Sequence, residues 1–180
     1  MKKDEFVIEL KKYNLSRGDL EKLHISEELI DKEIRNHVCV LRKQPLINLF
    51  VNSEVVSLLN YYDCTNVVIG VLTFSGEIDE TDDYYLIGQV EADLLAINKI
   101  TLEVQVLDYL DLNHVIFNCA VNGESFLDAI LICAEYFSHV LKSDDLTVDK
   151  LFTFNYVQQS AEKAGGDKYI EFYKLLLVYW

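Results

Sequence analysis

Between residues 67 and 121 the chain reads as short β-branched and aromatic runs with one clean apolar–polar alternation, whereas on either side the apolar residues recur at every third or fourth position. That change of period constrains the fold more than any other property of the chain. The clearest stretch is 102–107, where Leu102, Val104 and Val106 alternate with Glu103 and Gln105, as in an antiparallel strand with one face on a core and one in water. Around it, residues 67–74 (VVIGVLTF) predict a largely buried strand ending at Ser75-Gly76. Residues 84–90, 94–98 and 114–121 predict three more strands. Residues 98–101 (NKIT) supply a reversal, although no glycine marks it as a tight hairpin.

The flanks are helical. Phe6, Val7 and Leu10 predict a first helix over residues 4–13, and Ser26 followed by Glu27 and Glu28 reads as the capped start of a second. Ile30, Ile34, Val38 and Leu41 would form its buried stripe, and residues 46–60 predict a third helix through Val55, Leu58 and Leu59. After the strands, Ser125 and Asp128 resemble a capping box, and Phe126, Ile130, Cys133, Phe137 and Val140 share one face, widened by Leu127, Leu131 and Ala134. A further helix is expected over 147–164, stopped by Gly165-Gly166, and a last one capped by Asp167. Helices at 1–60, strands at 67–121 and helices at 124–180 make one α+β domain. One proline and 7 glycines in 180 residues leave no linker material to divide it.

Charge narrows the partners. The formal net charge is −14, and it is unevenly placed: residues 1–50 hold 10 basic and 9 acidic side chains, residues 51–180 hold 6 and 21. Nucleic acid and anionic membrane surfaces are disfavoured. The density peaks between Glu77 and Asp111, where ten acidic residues face Lys99 alone. Such a stretch is either a solvated face or a docking surface for a basic protein. Tyr84 and Tyr85 border it and, with Tyr61 and Tyr62, could supply rigid contact area or simply pack at the sheet margin.

Catalytic and metal-binding patterns are missing. Cys39, Cys64, Cys119 and Cys133 lack C-x-x-C spacing and read as buried free thiols, and His24, His37, His114 and His139 are scattered. Neither a phosphate-cradling glycine motif nor a G-x-S-x-G elbow is present. Asp79-Glu80, Asp82-Asp83 and Asp144-Asp145 sit in polar turns, where solvent keeps both members ionised, and residues 79–83 (DETDD) lack the glycine and terminal glutamate of a calcium loop. Asp4, Glu5 and Glu9 interrupt any signal-peptide core and no apolar run approaches about 20 residues, so a cytoplasmic protein is expected.

The stretches YYLIGQVEADLLAINKITLEVQVLDY and NCAVNGESFLDAILICAEYF resemble the SUKH superfamily (the Syd, US and cell-wall-assembly-regulator homology group). The matching positions are Ile87-Gly88, Asp93, Thr101-Leu102-Glu103-Val104 and Ser125-Phe126-Leu127. The ending carries Ala164, Gly165, Gly166, Tyr169, Phe172 and Tyr173. The resemblance covers about residues 84–178. It departs from the family at Leu102, where a turn glycine stands, and at Leu94, where proline often does. It implies an α+β fold with a mixed, mainly antiparallel twisted sheet flanked by helices, and no catalytic activity or cofactor. It also implies the function of most bacterial members: an immunity protein that neutralises a cognate toxin, often a nuclease, by covering its basic cleft. Asp79, Glu80, Asp82, Asp83, Glu91, Asp93, Asp108 and Asp111 are the expected contacts, with Tyr84 and Tyr85 as anchors. Distant eukaryotic relatives are regulatory or scaffold proteins, which leaves that alternative. A small hydrolase with acids converging only in three dimensions is a further one.

Overall fold

The computed structural model describes residues 1–35, 38–47, 51–143 and 149–178; His37, Asp144, Asp145 and Thr147 lie outside them. The chain is α+β, with helices before and after a six-stranded sheet. It opens with α1 (Lys3–Leu10), a short 3₁₀ turn (Lys11–Tyr13), α2 (Arg17–Glu21) and α3 (Glu27–Glu33). Phe6, Val7 and Leu10 are buried, as their spacing predicts. Ser26 Oγ accepts the Leu29 N–H at 3.4 Å, so α3 starts where its cap predicts.

It stops early. Val38 and Leu41 are not on α3, because Val40–Leu41 forms β1 and the Arg42 N–H bonds the Tyr61 carbonyl at 2.8 Å. Backbone held across a strand pair cannot also close helical bonds four residues back. The next helix is likewise shorter than expected: α4 is Glu54–Tyr61, running into β2 (Tyr62–Asp63), which pairs with β1. The buried Asn60 side chain explains this, since it accepts the Ile47 N–H at 2.8 Å and donates to the Ile47 carbonyl at 3.1 Å. Ile47 is thereby fixed outside the helix.

The middle of the chain forms β3 (Val68–Ile69), β4 (Leu72–Glu80), β5 (Tyr84–Val90), β6 (Asp93–Asn98), β7 (Val104–Asp108) and β8 (Asp111–Ala120). Each strand pairs with the next in sequence, and all the pairings are antiparallel among the described residues. Residues 67–74 are not one strand: Gly70, at φ 60°, folds them into a hairpin that pairs Ile69 with Leu72. A Cβ there would stand 2.9 Å from the Phe137 ring and 3.0 Å from the Leu176 carbonyl, so close approach as well as backbone conformation requires glycine. Ser75-Gly76 lies inside β4 and does not end it. The reversal before β7 has no glycine; Leu102 itself takes the left-handed conformation, at φ 65°.

Ile87, Leu95, Ile97, Val104 and Val106 face the helices within the main core. The opposite face of β7 is covered too: Gln105 is 8% exposed and Leu107 not at all. The strand expected over 102–107 begins only at Val104, with Leu102 and Glu103 before it; within it Val104 and Val106 take the core face and Gln105 the other, which is not left in water because Gln105 is held by Asn118 at 2.9 Å beside the buried Ala96.

Helix α5 (Gly123–Lys142), about 30 Å long, buries Phe126, Leu127, Ile130, Cys133 and Ala134. Its cap is Asn122, whose side chain accepts the Ser125 N–H at 2.9 Å, so Ser125 is inside the helix and caps nothing. Helix α6 (Lys150–Ala164) is capped by Asp149 and ends at Gly165 and Gly166, with φ 124° and 111°. Asp167 does not cap a helix; it begins a 3₁₀ turn (Asp167–Tyr169) that leads into α7 (Ile170–Leu176). Tyr173 of α7 is fully buried and donates to the Cys119 carbonyl at 2.8 Å, which ties the last helix to β8.

Candidate partner-binding surface

A meander places alternate turns at opposite ends of a sheet, and this divides the acidic residues between 77 and 111 into two groups. The turns after β4 and β6 lie at one end with Asp79, Glu80, Asp82, Asp83, Tyr84 and Tyr85; the turns after β5 and β7 lie at the other with Glu91, Asp93, Asp108 and Asp111. Seven residues of β5 separate the two, about 20 Å. The ten residues singled out from the sequence therefore form two surfaces.

At the first end the turn after β4 is closed by Thr81, whose N–H bonds the Tyr84 carbonyl at 2.9 Å and whose Oγ1 accepts the Tyr84 N–H at 3.0 Å. The turn after β6 is closed by Asn98, whose Oδ1 accepts the N–H groups of Ile100 and Thr101, both at 2.9 Å. Lys99 joins the turns. Its N–H bonds the Asp83 carbonyl at 2.8 Å, its Nζ lies 2.6 Å from Glu80 Oε1 and also bonds the Thr81 carbonyl, and it stands 4.9 Å from the centre of the Tyr85 ring. Nearby Glu103 is neutralised by Lys168 and accepts the Tyr169 hydroxyl at 2.9 Å. Asp79, Asp82 and Asp83 remain exposed, with no ion pair among the described residues.

The two tyrosines differ. Tyr85 packs against the core beneath Lys99, and Tyr84 stands on the opposite face of β5, across from Asn98. Only Tyr84 is thus on the face away from the helices. Ile100, 84% exposed at the tip of the same end, is a contact candidate that the sequence reading passed over. Its signal was an isoleucine in a turn that otherwise holds polar residues.

At the second end the carboxylates serve the backbone. Asp93 accepts the Tyr109 N–H at 3.2 Å, Asp108 accepts the Leu110 N–H at 2.8 Å, and Asp111 accepts the Asn113 N–H at 3.0 Å. The Leu110 bond, with His114 3.5 Å away, holds the Asp108 carboxyl below its ordinary value. Glu91 is exposed at the turn after β5, with φ 55°. Between Asp108 and Asp111 project Tyr109 and Leu110, 61% and 79% exposed. Their signal was an apolar pair between two aspartates, where a hairpin tip usually carries polar residues or glycine.

Where carboxylates line a surface hollow together, cations accompany them. Glu54 and Glu124 both meet Lys2, and Asp31, beside Glu28, pairs with Arg17. No three His, Cys, Asp or Glu side chains converge as a metal site among the described residues, and no helix there is long and apolar enough to cross a membrane. No family model matches the chain, and no curated protein or solved structure matches it.

Proposed function

We propose that this chain is a cytoplasmic immunity protein of a bacterial toxin system, which neutralises its cognate toxin by laying an acidic surface over a basic active-site cleft, as in a nuclease. The observation that carries the reading is the charge at the first end of the sheet. Asp79, Asp82 and Asp83 are exposed without cation partners among the described residues, while Lys99 is turned inward onto Glu80 and Tyr85. A fixed negative surface of this kind attracts a basic protein and raises its association rate by roughly 10- to 1000-fold at low salt. Tyr84 and Ile100 add apolar contact area within the same patch. The left-handed Leu102 supports the family resemblance, since it occupies the position of that family's turn glycine. Neither nucleic acid nor a membrane surface fits the charge.

The test is co-expression with the toxin encoded beside it. Reversing Asp79, Asp82 and Asp83 to Lys is expected to abolish rescue while the far-ultraviolet spectrum stays unchanged. Reversing the exposed Glu91 at the opposite end leaves rescue intact. Normal rescue by the triple reversal would overturn the acidic-surface mechanism, and binding of a non-toxin protein in its place would favour a regulatory or scaffold role.

A further inference from the structure

Cys39 and Cys64 are 25 positions apart and meet at the end of the small sheet. Its register pairs Leu41 with Tyr62 and Val40 with Asp63, so one further step sets Cys39 opposite Cys64. Arg42 and Tyr61 share a backbone hydrogen bond of 2.8 Å. Alternation along an antiparallel ladder then makes Cys39 and Cys64 a non-hydrogen-bonded pair, the kind whose Cα atoms are about 4.5 Å apart and whose side chains approach most closely. Their Sγ atoms are 3.1 Å apart; Cys39 is 6% exposed and Cys64 fully buried. A disulfide needs Cα atoms about 4.4–6.8 Å apart and sulfurs about 2.0 Å apart, so it would close through a sulfur movement of roughly 1 Å with no change of register. The other two cysteines face different groups: Cys133 lies 3.5 Å from Ser160 Oγ and Cys119 4.0 Å from the Phe117 carbonyl.

We infer that Cys39 and Cys64 are a dithiol site that closes to an intramolecular disulfide when it meets a two-electron oxidant, a peroxide or a glutathione-type disulfide. With hydrogen peroxide, the Cys39 sulfur attacks one peroxide oxygen, the O–O bond breaks, and the sulfur becomes a sulfenic acid as the first water leaves. The Cys64 sulfur then displaces the hydroxyl, the S–S bond forms, and a second water carries away the remaining thiol proton. With a glutathione-type disulfide, two exchanges release two glutathione thiols. Cys39 is the entry point, since it precedes a two-residue strand whose Val40 and Leu41 are 53% and 67% exposed. Cys64 is the resolving partner; its hydrogen bond to Cys39 and its burial hold its thiol protonated, well above the ordinary value. The bond ties the segment before α4 to the strand after it.

The experiment treats the folded full chain with hydrogen peroxide or oxidised glutathione, alkylates the remaining thiols under denaturing conditions and maps the peptides. A Cys39–Cys64 cross-link is expected, with Cys119 and Cys133 alkylated, and a rise in Tm of about 7–14 °C that dithiothreitol reverses. Cys39→Ala removes the rise and Cys119→Ala does not. Four alkylated cysteines after treatment, or a cross-link to Cys119, Cys133 or a second chain, would overturn the inference. Because the wild-type peptide map decides between these outcomes, a variant that fails to fold leaves the result intact.

Discussion

The carbonyl oxygen of Thr73 occupies the space that a Cβ on Gly88 would need, and the Cα of Phe74 lies 3.1 Å from the same point. Gly88 pairs with Phe74 on one side and with Leu95 on the other, beside an irregularity in the β5–β6 register. Gly88→Ala is therefore expected to push β4 away and lower stability by about 2 kcal/mol or more. Gly76→Ala, whose Cβ would meet the Thr65 methyl at 3.2 Å, is expected to cost under about 1 kcal/mol. Urea midpoints of the two variants check the contrast, and equal losses would refute it.

Leu102 holds a left-handed conformation that costs a residue with a Cβ about 1–2 kcal/mol. Leu102→Gly removes that cost but also a half-buried side chain, so its stability should remain within about 1 kcal/mol of the parent. Leu102→Val, branched at Cβ, should lose about 1–2 kcal/mol. Chemical denaturation that ranks Val at or above Gly would contradict the conformational reading.

Alkaline pH should destabilise the protein through its buried thiols and phenols. Burial pushes the Cys133 thiol and the Tyr169 phenol up to about 12, and holds Cys119 and Tyr173 well above their ordinary values. The unfolded chain releases the thiol protons near pH 8.5 and the phenol protons near pH 10, roughly, whereas the folded chain keeps them. Above about pH 8.5 the unfolded state thus binds fewer protons, and stability falls as pH rises, by about 1.4 kcal/mol per pH unit for each group, until the folded-state values are passed. The urea midpoint should be flat between about pH 7 and 8 and fall steeply between about 9 and 11. Cys133→Ala should flatten the fall from its onset, Tyr173→Phe only above about pH 10.

Lys99 separates folding from binding. Its side chain is 21% exposed and ties Glu80 to the Tyr85 ring, so Lys99→Gln should cost about 1 kcal/mol of stability. The same change unmasks Glu80 and, on the proposed function, should speed toxin association severalfold at low salt. That gain should vanish near 1 M salt, where the screening length is about 3 Å. Stopped-flow association at two ionic strengths measures both effects, and slower association at low salt would count against the acidic surface.

What could be read from the sequence tracks how local its physical cause is. The alternation of Val104, Gln105 and Val106 and the stripe from Phe126 to Ala134 depend on neighbours two to four residues away and lie in the strand and helix they predict, whereas Leu102, first of the alternating residues, belongs to the reversal before β7. Ser26 caps α3 for the same reason. The misplaced boundaries have distant causes. Asn60 fixes Ile47 from thirteen positions away, β2 captures Val40 and Leu41, and the turn at Gly70 is enforced by Phe137 and Leu176. The acidic stretch was legible as a concentration of charge. Its division between two ends was not, because that depends on the number of strands between the turns, and the hairpin hidden in residues 67–74 changes how the sheet begins. The inward role of Lys99 needed both turns in space, since Glu80 and Tyr85 meet it across hairpins.

In the six-stranded sheet each strand lies beside its sequence neighbour. No long loop has to close before a strand finds its partner, so assembly can proceed by zipping one hairpin onto the previous one, with each step costing little chain entropy. The entropically expensive step is different: seating the N-terminal helices on α5, more than a hundred residues later, where the amino group of Met1 meets Asp128 across 127 positions. The rate at which this chain reaches its native state should therefore be set by helix docking and not by sheet formation, so that the strands acquire protection from hydrogen exchange before α1 does.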